Sequence, residues 1–230
     1  MAKKRISRSR KRDLNEPDEF ITFWTKIFEF TSKYRVQFTC ALGFIVALII
    51  VVVGIVYFSK KSEDKAFALL QQGITKYQTV LQNNEPDKAY LDVEKDFQLI
   101  LEKYSVRDGG KLAKFIYANI CYNAKEYNKA IELYNKSLVD FNAEPFVKNL
   151  VLNGLGYSYK AKNDYKTAVK YFEMLASASD YSIKDEALFN LGGLYAAMGN
   201  NDKSMNAFKK ILSDHSDSMY IEIVKERTAG

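Results

Sequence analysis

Histidine occurs once in the 230 residues and cysteine twice, and each scarcity removes a class of chemistry. The one imidazole, His215, lies in a Ser-Asp-His-Ser-Asp stretch. Neither a zinc-ligand spacing nor a base-and-nucleophile constellation surrounds it. Cys40 falls in an apolar run and Cys121 in a helical segment far along the chain, so no disulfide can form within the polar part, and one thiol reports nothing about redox compartment. Cys121 stands where a repeat core would place an apolar residue, which predicts a buried structural thiol. Arg107-Asp108-Gly109-Gly110-Lys111 puts glycines ahead of a helix, an arrangement that can bind phosphate, but the G-x-x-x-x-G-K-[ST] spacing is missing and no strand precedes it. A turn and a helix start account for it. The chain is expected to be no enzyme and to need no metal or cofactor.

A surplus of positive charge is also missing from most of the chain. Residues 1–35 hold ten Lys or Arg against five Asp or Glu, whereas residues 36–230 hold 24 against 23. A nucleic-acid-binding domain needs its surplus on the fold, so no nucleic-acid partner is expected. The basic run Lys3–Arg12 has no interleaved aromatics. It suits anionic lipid, at about 1 kcal/mol per basic residue near the surface.

Charge is absent altogether from Val36 to Phe58, and Gln37 and Thr39 are the only strongly polar residues there. At 1.5 Å per residue these 23 residues are long enough to cross a hydrocarbon core of about 30 Å. A cleaved signal peptide would be shorter, and the A-x-A match at Ala66-Phe67-Ala68 lies beyond a charged stretch, Lys60 to Lys65. A lipoprotein box is excluded because Cys40 opens the run instead of closing it. The flanking bases predict a cytoplasmic N-terminus and an extracytoplasmic domain from residue 59 onward, in a bacterial inner membrane. Before the span, Phe20, Phe23, Trp24, Ile27 and Phe28 recur at helical spacing, which predicts an amphipathic helix in the headgroup region with Trp24 as anchor. Gly43 and Ala47 form a small-xxx-small pair, a weak motif for a homodimer.

Beyond the membrane no strand pattern occurs. Helices are predicted near residues 62–82, 88–104, 110–124, 127–141, 145–161, 164–178, 183–198, 201–214 and 218–227, joined by short polar turns. Leu152, Leu155, Gly156, Tyr159, then Tyr165, Ala168, Phe172, Leu175 return as Leu188, Leu191, Gly192, Tyr195, then Ser204, Phe208, Ile211. Tyr117, Ala118, Cys121, then Tyr127, Ala130, Tyr134 repeat the scheme earlier, and Tyr90, Val93, Phe97, Ile100 match its second half. The small residues Ala118, Gly156 and Gly192 let one helix approach its neighbour. Ala130, Ala168 and Ser204 do so from the other side, and Tyr134, Phe172 and Phe208 fill the space left between. No helix pair can bury its apolar face alone, so the pairs must stack.

This arrangement resembles the tetratricopeptide repeat, with steps of 36–38 residues and no proline at repeat ends. The fold class expected is all-α, a tetratricopeptide-like solenoid of helical pairs after one transmembrane helix. The domains expected are a cytoplasmic tail (1–35), a span (36–58) and a repeat domain (59–230). The whole layout resembles the YfgM-like family of ancillary Sec translocon subunits. That resemblance implies a protein–protein scaffold partnered by the translocon or by periplasmic chaperones. Scaffolding another envelope machine (secretion, pilus or cell-wall assembly) is the alternative, and an import-type receptor of opposite topology is a further one. The resemblance to the tetratricopeptide repeat itself implies a peptide groove on the first helices of the pairs, lined by Leu112, Phe115, Asn119, Tyr122, Asn153, Tyr157, Lys160 and Phe189. The clamp that some such repeat domains use for C-terminal carboxylates would need Lys at the position of Phe115. Residues 218–227 are expected to cap the stack.

Overall fold

The computed structural model describes residues 19–82, 86–178 and 183–229, and among these no strand occurs. The basic run Lys3–Arg12 and the side chain of Phe20 lie outside the described residues. The described helices, in chain order, are α1 (Glu19–Lys33), α2 (Arg35–Leu81), α3 (Pro86–Tyr104), α4 (Asp108–Asn123), α5 (Tyr127–Asp140), α6 (Pro145–Ala161), α7 (Tyr165–Ala176), α8 (Lys184–Ala197), α9 (Asn201–Asp214) and α10 (Ile221–Thr228). The chain divides into two compact units at Ser59.

The first unit holds α1 and the apolar part of α2. Its large side chains are uncovered: Phe28 is 74% exposed, Phe44 70% and Ile50 66%. α2 is long and apolar enough to cross a membrane, and none of its apolar window is buried. The hydroxyls of Thr25, Thr31 and Thr39 are satisfied inside the helices. Thr25 Oγ1 donates to the carbonyl of Ile21 at 2.7 Å and Thr39 Oγ1 to that of Val36 at 2.9 Å, so neither needs water.

Separate helices over 36–58 and 62–82 were expected, but α2 runs through both as one element. Ser59-Lys60-Lys61-Ser62 contains neither glycine nor proline, so nothing local interrupts the backbone ladder.

The second unit is a stack of helix pairs: the C-terminal part of α2 with α3, then α4 with α5, α6 with α7, and α8 with α9. The other element boundaries lie within a few residues of those the sequence predicts. Residues 62–82, which carry no readable repeat signature, form the first helix of the first pair. Ala66, Leu70, Gly73 and Tyr77 make a buried stripe at helical spacing, and a Cβ at Gly73 would stand 3.1 Å from the Phe97 ring. Lys76 Nζ donates to Asp96 Oδ2 at 2.8 Å and to the Asp92 carbonyl at 2.6 Å, closing the pair.

The glycines at 109 and 110 are packing devices. The backbone N–H groups of Asp108 and Gly109 donate to the Glu63 carboxylate at 3.2 and 2.7 Å, so the N-terminus of α4 already holds its anion. A Cβ at Gly109 would stand 2.9 Å from the Cβ of Ala66, and one at Gly110 would overlap the Tyr104 carbonyl.

Every residue named for repeat packing is buried: Ala118, Ala130, Tyr134, Gly156, Ala168, Phe172, Gly192 and Phe208. Phe172 and Phe208 lie over Gly156 and Gly192 of their own pairs, whereas Tyr134 lies against Gly154 of the following pair. Gly154 is an unforeseen second glycine at a close approach.

The turn inside each pair is built the same way three times. Lys125 (φ 61°), Asn163 (φ 61°) and Gly199 (φ 75°) take left-handed backbone one residue past each helix-ending cap. The next N–H reaches back in each case, Glu126 to the Cys121 carbonyl at 2.9 Å, Asp164 to Tyr159 at 3.0 Å and Asn200 to Tyr195 at 2.8 Å. Asp164 and Asn200 then cap α7 and α9 by accepting from Thr167 N and Lys203 N, both at 3.2 Å. Lysine is the residue least suited to this backbone. Lys125→Gly is expected to stabilise the chain by about 0.5–1 kcal/mol, and Asn163→Gly by less because Asn tolerates the left-handed region. Urea unfolding in detergent, followed by circular dichroism, measures both.

Candidate interaction groove

The first helices of the pairs present one face in a shared register. Positions 112, 115, 119 and 122 of α4 recur as 150, 153, 157 and 160 of α6 and as 186, 189, 193 and 196 of α8. Spacings of three and four residues place each set on one helix face.

On α6 and α8 the polar members form a connected chain. Tyr157 Oη donates to Glu186 Oε1 at 2.7 Å, and Asn153 Nδ2 donates to the same oxygen at 3.2 Å. The buried Asn190 donates its Nδ2 to Tyr157 Oη at 3.0 Å and to the Glu186 carbonyl at 3.0 Å. Its Oδ1 accepts from Lys160 Nζ at 2.8 Å. Asn190 therefore has both ends of its amide engaged, the state a buried amide requires. Burial, and then the Glu186 carboxylate, push the Tyr157 hydroxyl above its ordinary pKa, so it keeps its proton and remains a donor. Desolvation, and then the charge of Arg227, hold the Lys160 amine below the ordinary lysine value.

Beside this chain lies a cavity of about 600 Å³, walled in part by Tyr122, Tyr157, Lys160, Phe189, Asn190 and Arg227. Four of the eight residues that sequence places in the groove thus meet at one cavity. The other four are not among its walls. Leu112 and Phe115 pack against the core of the first half of the stack. The Asn119 Oδ1 is taken by Tyr134 Oη at 2.5 Å, and the Asn153 amide by Glu186.

The terminal helix α10 closes one end. Its Val224 is fully buried. Tyr220, just before it, stacks on Phe189 with ring centroids 4.3 Å apart and planes 13° from parallel. The Arg227 guanidinium lies 5.4 Å from the Phe189 centroid and 5.6 Å from that of Phe208. Ser218 Oγ donates to Asp185 Oδ2 at 2.6 Å. The segment predicted to cap the stack thus also furnishes part of the groove wall, and one face of Phe189 is already covered by the chain itself.

Sequence reasoning missed Glu186, Asn190 and Arg227. Glu186 could have been found, since it occupies the register of Leu112. Asn190 falls at the register of Ile116 and Gly154, where no polar residue precedes it, and Arg227 belongs to no repeat.

Cys121 is fully buried, and burial pushes its thiol up to about 12, so it stays protonated. Among the described residues no group of three or more His, Cys, Asp or Glu side chains is placed to hold a metal ion.

Two family models, each described as tetratricopeptide repeat, match the chain at residues 151–178 and 186–218. They fall on the α6–α7 and α8–α9 pairs, which supply most of the cavity wall. No curated protein matches the chain. The fold is an all-α, tetratricopeptide-like stack of helix pairs, and such repeats support a role as a protein–protein interaction scaffold.

Proposed function

We propose that this protein is a membrane-anchored scaffold that holds a partner protein by a peptide segment lying along the faces of α6 and α8. The observation that carries the reading is the meeting of Tyr122, Tyr157, Lys160 and Phe189 at one cavity, the last three of them on the two matched repeats. Rings beside amides and a fixed lysine suit a peptide, whose backbone offers hydrogen bonds and whose side chains offer apolar surface.

The anchor is the apolar part of α2. Its uncovered side chains suit lipid as solvent, because a stripe of that size would be costly in water. The ten bases before it, against Lys60, Lys61 and Lys65 offset by Glu63 and Asp64 after it, favour a cytoplasmic N-terminus and an extracytoplasmic repeat domain. The resemblance of layout points to a bacterial inner membrane and to partners in the Sec translocon or the periplasmic chaperone network. Anchoring would act by local concentration, raising encounter frequency without new contacts.

The test is in-cell photocrosslinking from a benzophenone side chain at position 157. Discrete adducts with other proteins, lost when Gly193 is replaced by Trp to fill the groove, are the expected result. Adducts only with lipid or with the protein itself contradict a binding groove.

A further inference from the structure

We infer that the groove selects an acidic peptide segment, with a carboxylate side chain of the partner held between Lys160 and Arg227. The inference rests on the groove reading above and adds the charge of its ligand.

Two cations line the one cavity, and among the described residues no carboxylate pairs with either. Lys160 Nζ has a neutral amide oxygen, that of Asn190, as its hydrogen-bond partner. Arg227 is held by ring faces, over Phe189 and Phe208. Stacking of that kind fixes a guanidinium plane and leaves its N–H edge for a ligand. Glu186, the nearby acid on α8, is committed to Tyr157 and Asn153 and is not part of the cavity wall.

Holding like charges near each other is unfavourable, and the charge of Arg227 already depresses the Lys160 pKa. A carboxylate from outside would relieve both, with charge-assisted hydrogen bonds to the ammonium and to the guanidinium fork. The rings of Tyr122, Tyr157 and Phe189 would take the apolar stem of the acidic side chain and its neighbours.

The experiment is selection of random dodecapeptides, displayed on phage, against the full chain in nanodiscs of neutral phosphatidylcholine. Clones are sorted by whether Gly193→Trp abolishes their binding. Gly193 lines the cavity, and a Cβ there would meet nothing within 4 Å, so a large side chain at this position has the cavity to enter, and circular dichroism checks that the variant remains folded. Among groove-dependent clones, Asp and Glu should be enriched severalfold over the starting library. Their affinity should fall about tenfold or more in a chain carrying both Lys160→Gln and Arg227→Gln, measured at a temperature where circular dichroism shows both chains fully folded. Groove-dependent clones without acidic enrichment, binding the double variant as well as the parent, would overturn the charge selection and leave the groove standing. An absence of groove-dependent clones would overturn both.

Discussion

Phe172→Ala should lower the unfolding free energy of the repeat unit by about 3–5 kcal/mol, the range for removing a buried aromatic. Phe172 is fully buried. Its ring lies where Gly156 has no side chain, so close that a Cβ there would stand 2.8 Å away, and Tyr157 meets it edge-on with centroids 5.4 Å apart. The void left by alanine cannot be filled from the glycine side, which puts the loss toward the upper end of that range. Because Tyr157 is seated on this ring, groove binding should weaken as well. Urea unfolding in detergent by circular dichroism measures the stability term. A loss under about 1 kcal/mol would mean that the ring is not the wedge between α6 and α7.

Gly192→Leu should cost about 3 kcal/mol or more, at or above the upper end for overpacking a core. A Cβ at that position would overlap the buried ring of Phe208. The two helices cannot separate freely to make room, because Ser204 Oγ donates to the Gly192 carbonyl at 2.8 Å. The obstruction is a rigid ring and not the tip of a flexible chain. Two comparisons isolate that cause. Combining Gly192→Leu with Phe208→Ala should recover part of the loss, which only a direct steric conflict predicts. Gly193→Leu, one residue along, meets open space and should change stability by about 0.5 kcal/mol or less. Equal losses at 192 and 193 would point to helix backbone effects instead.

These two sites also show what the sequence could and could not reveal. Gly156 and Gly192 stand at matching positions in two clear repeats, with Phe172 and Phe208 sixteen residues beyond each, so their pairing follows from periodicity alone. Helices and repeat class were legible for that reason. The first pair was harder to read because α2 runs from the apolar stretch into the stack as one helix, and its buried stripe at Ala66, Leu70, Gly73 and Tyr77 carries none of the repeat's signature residues. Gly154 was overlooked because its neighbour is Tyr134, on the preceding pair, a contact that no single repeat encodes.

Four of the eight residues expected in a groove line one cavity. Register places Tyr122, Tyr157, Lys160 and Phe189 on equivalent helix faces, but register cannot say which residues the stack's own contacts consume. Asn119 went to Tyr134, Asn153 to Glu186 and one face of Phe189 to Tyr220. Arg227 was beyond reach because its place depends on how the last helix folds back over the final pair.

The proposed function requires above all that the repeat stack be held outside the cytosol by an uncleaved helix. Protease added to right-side-out spheroplasts of a producing bacterium tests this directly. The expected result is digestion of residues 59–230, leaving a membrane-protected fragment that retains the N-terminal tail. Survival of the repeat unit under that treatment, with its loss when protease reaches the cytosolic face, would contradict the anchored, outward-facing scaffold.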